Sequence, residues 1–252
     1  SNFLYWIWKI DTVLFKTIME NLGAKNVTSW PAQWEVFREY ESFDLCVVEK
    51  GTKRVLLVLE NKVKSIPYKA QLDKYEKKVQ ELYGVCKDFV DLQNGIYKAK
   101  KKQYQYNDPN NPKFVKDKFA KYKEYKLVDF ILLTLPSGFP DERSIRQEGK
   151  WVIATYQQYL AAINNPTTLQ GYKKDILTDY CSFVGALLDV YATWNNDCYQ
   201  SNSLLLETPG TPNYIAEAEE LRIHDLYHKS KYAQICAEIQ SKIQSHIQGK
   251  VS

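Results

Sequence analysis

Asp44, Glu60 and Lys62 are the residues of this 252-residue chain whose types and spacing best suit chemistry. Two leucine- and valine-rich runs, Phe43 to Val48 and Val55 to Leu59, flank the polar segment Lys50-Gly51-Thr52-Lys53. That composition predicts a β-hairpin. On a strand, residues two apart share a face, so Glu60 and Lys62 point the same way. A loop of Gly51 to Lys53 places Asp44 opposite Glu60, with Cβ atoms about 5 Å apart. A loop one residue longer would offset the pair by one position. Carboxylates that close repel each other unless a cation sits between them, and a hard, oxygen-seeking ion such as Mg²⁺ or Mn²⁺ fits two acids. The Lys62 ammonium would then orient the attacking water, help to deprotonate it, and stabilise charge on a phosphate. The chemistry so implied is metal-assisted cleavage of a phosphodiester, with Asp44, Glu60 and the backbone carbonyl of Asn61 as metal ligands.

Asp44, followed sixteen residues later by Glu60-Asn61-Lys62 at the end of an apolar strand, resembles the D…(D/E)xK signature of the PD-(D/E)XK nuclease superfamily. Gln71-Leu72-Asp73-Lys74-Tyr75 is similar to the QxxxY motif of its RecB-like branch. The resemblance implies that Gln71 and Tyr75 lie beside the active site and position substrate. Asp129 to Pro136 resembles the later core strand. Trp151 to Leu160 resembles the helix start that follows it in a bacterial subfamily of unassigned function. The usual proline, or the glycine of the RecB-type motif, is missing upstream of Asp44, where the chain reads Glu41-Ser42-Phe43. The superfamily often adds an acid from the first helix or strand, for which Glu20, Glu35 and Glu39 are candidates. The implied function is a divalent-metal-dependent nuclease acting on DNA, of bacterial or phage origin, in repair, restriction or defence.

Positioning these groups requires a sheet. Leu14, Ile18 and Leu22 recur at four-residue spacing up to Gly23, predicting one or more helices over Leu4 to Leu22. Gln33 to Tyr40, Ser42 to Glu49 and Arg54 to Lys62 read as three strands of a meander. Residues 69 to 92 read as a long helix with Leu72, Tyr75, Val79, Leu82 and Tyr83 on one face. Leu127 to Leu135 reads as a further strand. The expected fold class is α/β, with a mixed (α+β) sheet in a restriction-endonuclease-like αβββαβ core, forming a single domain over 1–252. A lysine- and tyrosine-rich helical insertion is expected over 94–126, and a helical C-terminal extension over 151–248. Within the latter, Trp151 to Asn164, Thr168 to Asn195 and Asn213 to Gln248 are the predicted helices.

Composition narrows the alternatives. Hydrophobic residues at 44% and charged residues at 25% exclude wholesale disorder. The net charge of +4 is unevenly spread: residues 95 to 126 hold ten lysines against three acids. Lysines interleaved with aromatics suit a polyanion, which makes Lys98, Lys100, Lys101 and Lys102 candidate nucleic-acid contacts. The competing reading is a solvated helical hairpin. Five cysteines without a Cys-x-x-Cys pair fit a reducing cytoplasm better than a disulfide framework. No apolar run approaches the roughly 20 residues of a membrane span, and no basic leader opens the chain, so a soluble cytoplasmic protein is expected. His224 and His228 lack the Glu and third ligand of a zinc site. No phosphate-cradling glycine loop or Gly-x-Ser-x-Gly elbow is present. A two-carboxylate glycosidase would have no use for Lys62.

The partner expected is nucleic acid, with DNA favoured, and no membrane. No heptad is sustained, which leaves oligomeric state open, dimers included. The alternative from another class is a non-catalytic nucleic-acid-binding or protein-interaction module on the same fold.

Overall fold

The structure, a computed structural model, describes residues 1–63, 65–83, 124–135, 139, 141–164, 169–200, 220–222, 226 and 239, with side chains to 192 in the last long helix. Lys98, Lys100, Lys101 and Lys102, the histidines at 224 and 228, and nearly all of the predicted insertion and of the helix over 213–248 lie outside the described residues.

The opening segment forms two helices, α1 (Asn2–Ile10) and α2 (Thr12–Asn21). They part at Asp11, which has extended backbone and caps α2 by accepting hydrogen bonds from the amides of Val13 (3.0 Å) and Leu14 (2.9 Å). Such a cap stabilises a helix by about 1 kcal/mol. Gly23 then turns the chain with φ 99°, and a Cβ there would meet Val152 at 2.6 Å. Both the backbone angle and the close approach call for glycine.

Three antiparallel strands follow: β1 (Trp34–Tyr40), β2 (Phe43–Glu49) and β3 (Val55–Lys62). Helix α3 (Lys69–Leu82) crosses back, and β4 (Asp129–Thr134) adds parallel to β3. The chain continues through α4 (Glu142–Glu148), β5 (Trp151–Thr155), α5 (Tyr156–Ile163) and α6 (Tyr172–Gln200). The sheet order is β1-β2-β3-β4-β5, with the last two strands parallel to β3. This is the mixed-sheet αβββαβ core expected from the sequence, with one strand more.

The extra strand corrects the prediction of a helix from Trp151. Trp151 to Thr155 is extended and pairs in register with β4, and the helix begins only at Tyr156. The helical extension therefore does not start at 151. Its β-branched Val152 and Ile153 favour a strand, while no turn residue separates strand from helix. The helix predicted over Thr168 to Asn195 is α6, which runs unbroken from Tyr172 to Gln200.

Alternation divides the sheet's side chains between two cores. Leu45, Val47, Leu57, Leu59, Ile131 and Leu133 pack under α1, α2, α5 and α6. Val48, Val58, Phe130 and Leu132 pack against α3 and α4 through Leu72, Tyr75, Val79, Tyr83 and Ile145. Tyr83 also donates its hydroxyl to the carbonyl of Val55. Leu82, expected on the buried face of α3, is instead exposed. Steps of three, four and four residues lead from Leu72 through Tyr75 and Val79 to Tyr83, and Leu82 lies about 100° away from Tyr83 around the helix.

Candidate active site

The hairpin β2–β3 sets the spacing of the two acids. Its loop is one residue longer than the sequence suggested: the Glu49 amide donates to the Arg54 carbonyl at 2.8 Å, leaving Lys50 to Lys53 between them. Gly51 (φ 91°) and Lys53 (φ 58°) take the left-handed backbone this loop requires. By itself that would slip the register by one. A β-bulge between Val47 and Val48 slips it back, so that Val48 pairs with Val55 but Leu45 pairs with Leu59. The next rung places Asp44 beside Glu60. The expected juxtaposition therefore arises through two offsetting irregularities.

Asp44 follows a tight turn. Tyr40 pairs with Phe43, and both residues between them, Glu41 (φ 54°) and Ser42 (φ 71°), are left-handed. Proline, fixed near −65°, cannot occupy either position. The absent upstream proline thus has a local explanation at 41 and 42.

From the start of β2, the Asp44 Oδ2 atom accepts a hydrogen bond from the backbone amide of Asn61 at 2.7 Å. Glu60 is only 2% exposed. Its Oε1 receives Lys62 Nζ at 2.7 Å and Gln71 Nε2 at 3.0 Å. Its Oε2 is buried with no hydrogen-bond partner among the described residues. Burial raises the Glu60 pKa above the ordinary carboxylate range; the Lys62 hydrogen bond opposes this, and the nearby Asp44 charge adds to it. A buried, repelled carboxylate with one oxygen open is what a cation would relieve.

Helix α3 supplies the orienting shell. Gln71 spends its two amide hydrogens on Glu60 and on the Tyr75 hydroxyl, the latter at 2.7 Å. Tyr75 itself is buried, its ring meeting Phe43 edge-on at 5.4 Å. The sequence pattern thus brings Asp44, Glu60, Lys62, Gln71 and Tyr75 to one place. Residue 61 contributes differently: its side chain points to the other face, where the Tyr156 hydroxyl donates to Asn61 Oδ1 at 2.7 Å.

Tyr156 was not singled out from the sequence. Burial pushes its phenol pKa upward, with the Asp44 charge among the lesser contributions. A signal for its placement did exist. Thr155-x-x-Gln158 forms a capping box, with the Thr155 hydroxyl accepting from the Gln158 amide and the Gln158 side chain accepting from the Thr155 amide. That pattern fixes Tyr156 as the first residue of α5, directly beyond the end of β5.

The three candidate third acids fall elsewhere. Glu35 pairs with Lys53, Glu20 is exposed at the end of α2, and exposed Glu39 bends away with φ 55° although it falls opposite Asp44 in the β1–β2 ladder. Among the described residues, no three His, Cys, Asp or Glu side chains cluster closely enough to hold a metal ion.

A sequence model of the PD-(D/E)XK nuclease superfamily matches residues 10–182, about two thirds of the chain. The chain belongs to the PD-(D/E)XK nuclease superfamily. The matched span runs from the end of α1 into α6 and contains Asp44, Glu60 and Lys62. Among curated proteins and solved structures, nothing matches significantly. Membership in the PD-(D/E)XK superfamily points to nuclease chemistry, to a nucleic-acid substrate and to the divalent metal ions its members typically use. Among the described residues, no helix is long and apolar enough to cross a membrane.

Proposed function

We propose that this PD-(D/E)XK protein hydrolyses phosphodiester bonds in DNA with Mg²⁺ or Mn²⁺, in repair, restriction or phage defence. The observation that carries the reading is the state of Glu60: one oxygen held by Lys62 and Gln71, the other buried and open beside Asp44. The donor set is all oxygen, which suits a hard cation. Asp44 and Glu60 would hold the ion with the Asn61 carbonyl. When bound, the ion would supply charge neutralisation at the phosphate and acidify the water that attacks it.

The remaining work falls to the chain. Lys62 Nζ, held 2.7 Å from Glu60, is placed to donate to the attacking water or to a phosphate oxygen. Gln71 fixes the Glu60 rotamer, and its bond to Tyr75 fixes Gln71 in turn. The Asn61 amide fixes Asp44. Water would attack phosphorus in line with the departing sugar oxygen, its proton passing to solvent and a solvent proton going to the leaving oxygen, while Lys62 lies beside the developing charge.

Incubating circular and linear DNA with the wild type in Mg²⁺ or Mn²⁺, and repeating with Lys62→Ala, tests the reading. Cutting by the wild type that is lost in the variant is expected. Binding without cutting, across metals and substrates, would instead favour a non-catalytic module on the same fold.

A further inference from the structure

We infer that the cavity behind Asn61 is a subsite for an unpaired nucleobase of the substrate strand, so that the scissile region is single-stranded or frayed. This deepens the nuclease reading and rests on it. The cavity has a volume of about 760 Å³, within the usual range of small-molecule pockets. Asn61 forms one wall; Phe3 and Trp6 of α1, Tyr156 of α5, and Tyr180 and Phe183 of α6 form others.

Continuity with the acids comes through Asn61. It lies between Glu60 and Lys62 on β3, its amide holds Asp44, and its side chain holds the hydroxyl of Tyr156. Because residues on a strand alternate, the cavity opens on the opposite side of β3 from Glu60 and Lys62, about one residue away along the strand. A strand held at its phosphate on one side of the β3 end can therefore place a neighbouring base on the other.

The lining selects the occupant. Phe3 and Tyr180 stack with centroids 3.5 Å apart and planes 12° from parallel, giving a flat wall that is ordered in advance. Phe183 lies beside Tyr180 and remains 48% exposed. Half-buried Trp6 lies 5.0 Å from Phe3. The amino group of Ser1, exposed Arg222 and exposed Glu220 also line the cavity, which leaves at most one net positive charge among mostly aromatic and aliphatic walls. Aromatic walls of low net charge suit a flat, neutral ring better than a phosphate. Bases stack on such rings with little regard for sequence. A base inside an intact duplex cannot enter without leaving its stack, which costs free energy that an unpaired base has already spent.

The test uses a short DNA strand carrying one 2-aminopurine, mixed with the whole protein in metal-free buffer, with fluorescence and affinity read together. Binding should quench the probe. Phe183→Ala, at an exposed position, should weaken binding about tenfold and relieve the quench, and Phe183→Trp should restore both. The same probe in a fully paired duplex should respond to neither change. Wild-type quenching by Phe183→Ala, or equal binding of duplex and single strand, overturns the subsite. Cleavage of the same strands in Mg²⁺, followed in parallel, separates the two readings. Cutting of duplex and single strand alike, indifferent to Phe183, overturns the subsite and leaves the nuclease standing. A Phe183-dependent quench with no cutting supports base binding and overturns the nuclease.

Discussion

Two acids are buried in neighbouring parallel strands of this sheet, and their surroundings differ. Asp129 begins β4 facing the α2 side. It accepts from the amides of Lys25 (3.1 Å) and Asn26 (2.9 Å) and from Asn26 Nδ2 (3.0 Å), so both oxygens are engaged. Glu60, near the end of β3 on the opposite face, is buried more deeply and has one oxygen without a partner among the described residues. Burying a carboxylate is costly unless hydrogen bonds or a counter-charge compensate it. At Asp129 the fold itself supplies the compensation. At Glu60 it supplies part, and the remainder is left for a ligand. The difference marks Asp129 as a pin that fastens the α2–β1 connection to the sheet, and Glu60 as a group held ready.

The largest expected effect is a separation of activities. Glu60→Gln keeps the side chain's size and its contact with Gln71 but removes the charge. Cleavage should fall on the order of 10²- to 10³-fold with melting temperature nearly unchanged. Asp129→Asn should leave cleavage by the folded protein intact. Equal losses of activity in the two variants would break the distinction between pin and site.

Stability should report the reverse. Asp129→Ala strands two backbone amides near the α2–β1 turn, and should lower unfolding free energy by about 2–4 kcal/mol in urea titration. Glu60→Gln in the absence of metal should not destabilise above neutral pH, since it removes a carboxylate whose ionisation burial opposes.

The contrast between the two acids also explains what could be read in advance. Glu60 was legible because its partners are local: Lys62 is two residues away on the same strand, and Gln71 begins the next helix. The hairpin partner Asp44 was legible as well, although the loop length and the bulge that restore its register were not, because a bulge leaves no signature in alternating apolar residues. Asp129 could be read only as the start of a strand, since its donors lie 103 and 104 residues earlier. Tyr156 lies 95 residues from Asn61 and escaped notice for the same reason. The strand β5 was hidden by contiguity with α5: the apolar run from Trp151 continues into the helix without glycine or proline, and the boundary is carried by the Thr155–Gln158 capping box. Leucine-rich strands declare themselves by composition, whereas long-range polar contacts are decided by topology.

Divalent ions should sharpen the comparison further. An ion bound only by the folded state stabilises it by about 2.7 kcal/mol at a hundred times its dissociation constant. For a chain of this size that is an increase of about 5–10 °C in melting temperature. Mn²⁺ should produce it in the wild type and in Asp129→Asn but not in Glu60→Gln. The pH dependence follows from the raised pKa of Glu60. A carboxyl whose folded pKa exceeds its unfolded value contributes stability below the unfolded value and loses it as pH rises through the folded one. Without metal, the wild type should therefore lose stability relative to Glu60→Gln over that rise. With Mn²⁺ the trend should invert, because protons compete with the ion, and the increment should shrink on acidification earlier than for an ordinary carboxylate. An Mn²⁺ increment that survives Glu60→Gln would place the ion elsewhere.

The smallest effects distinguish orientation from contact within α3. Gln71→Ala removes a donor from Glu60 Oε1 and frees its rotamer, and should lower cleavage on the order of tenfold, as loss of an outer partner of a metal ligand commonly does. Tyr75→Phe leaves that donor in place and removes only the hydroxyl that accepts from Gln71. Its ring keeps the edge-on contact with Phe43 and the buried position. Cleavage should fall about two- to threefold, with KM unchanged, if Tyr75 acts through Gln71. A KM that rises with Tyr75→Phe while kcat holds would instead mean that the hydroxyl touches the nucleic acid directly. The pair Gln71 and Tyr75 would then be read as a substrate contact in its own right, and the account of Glu60 as the group they orient would need only Lys62.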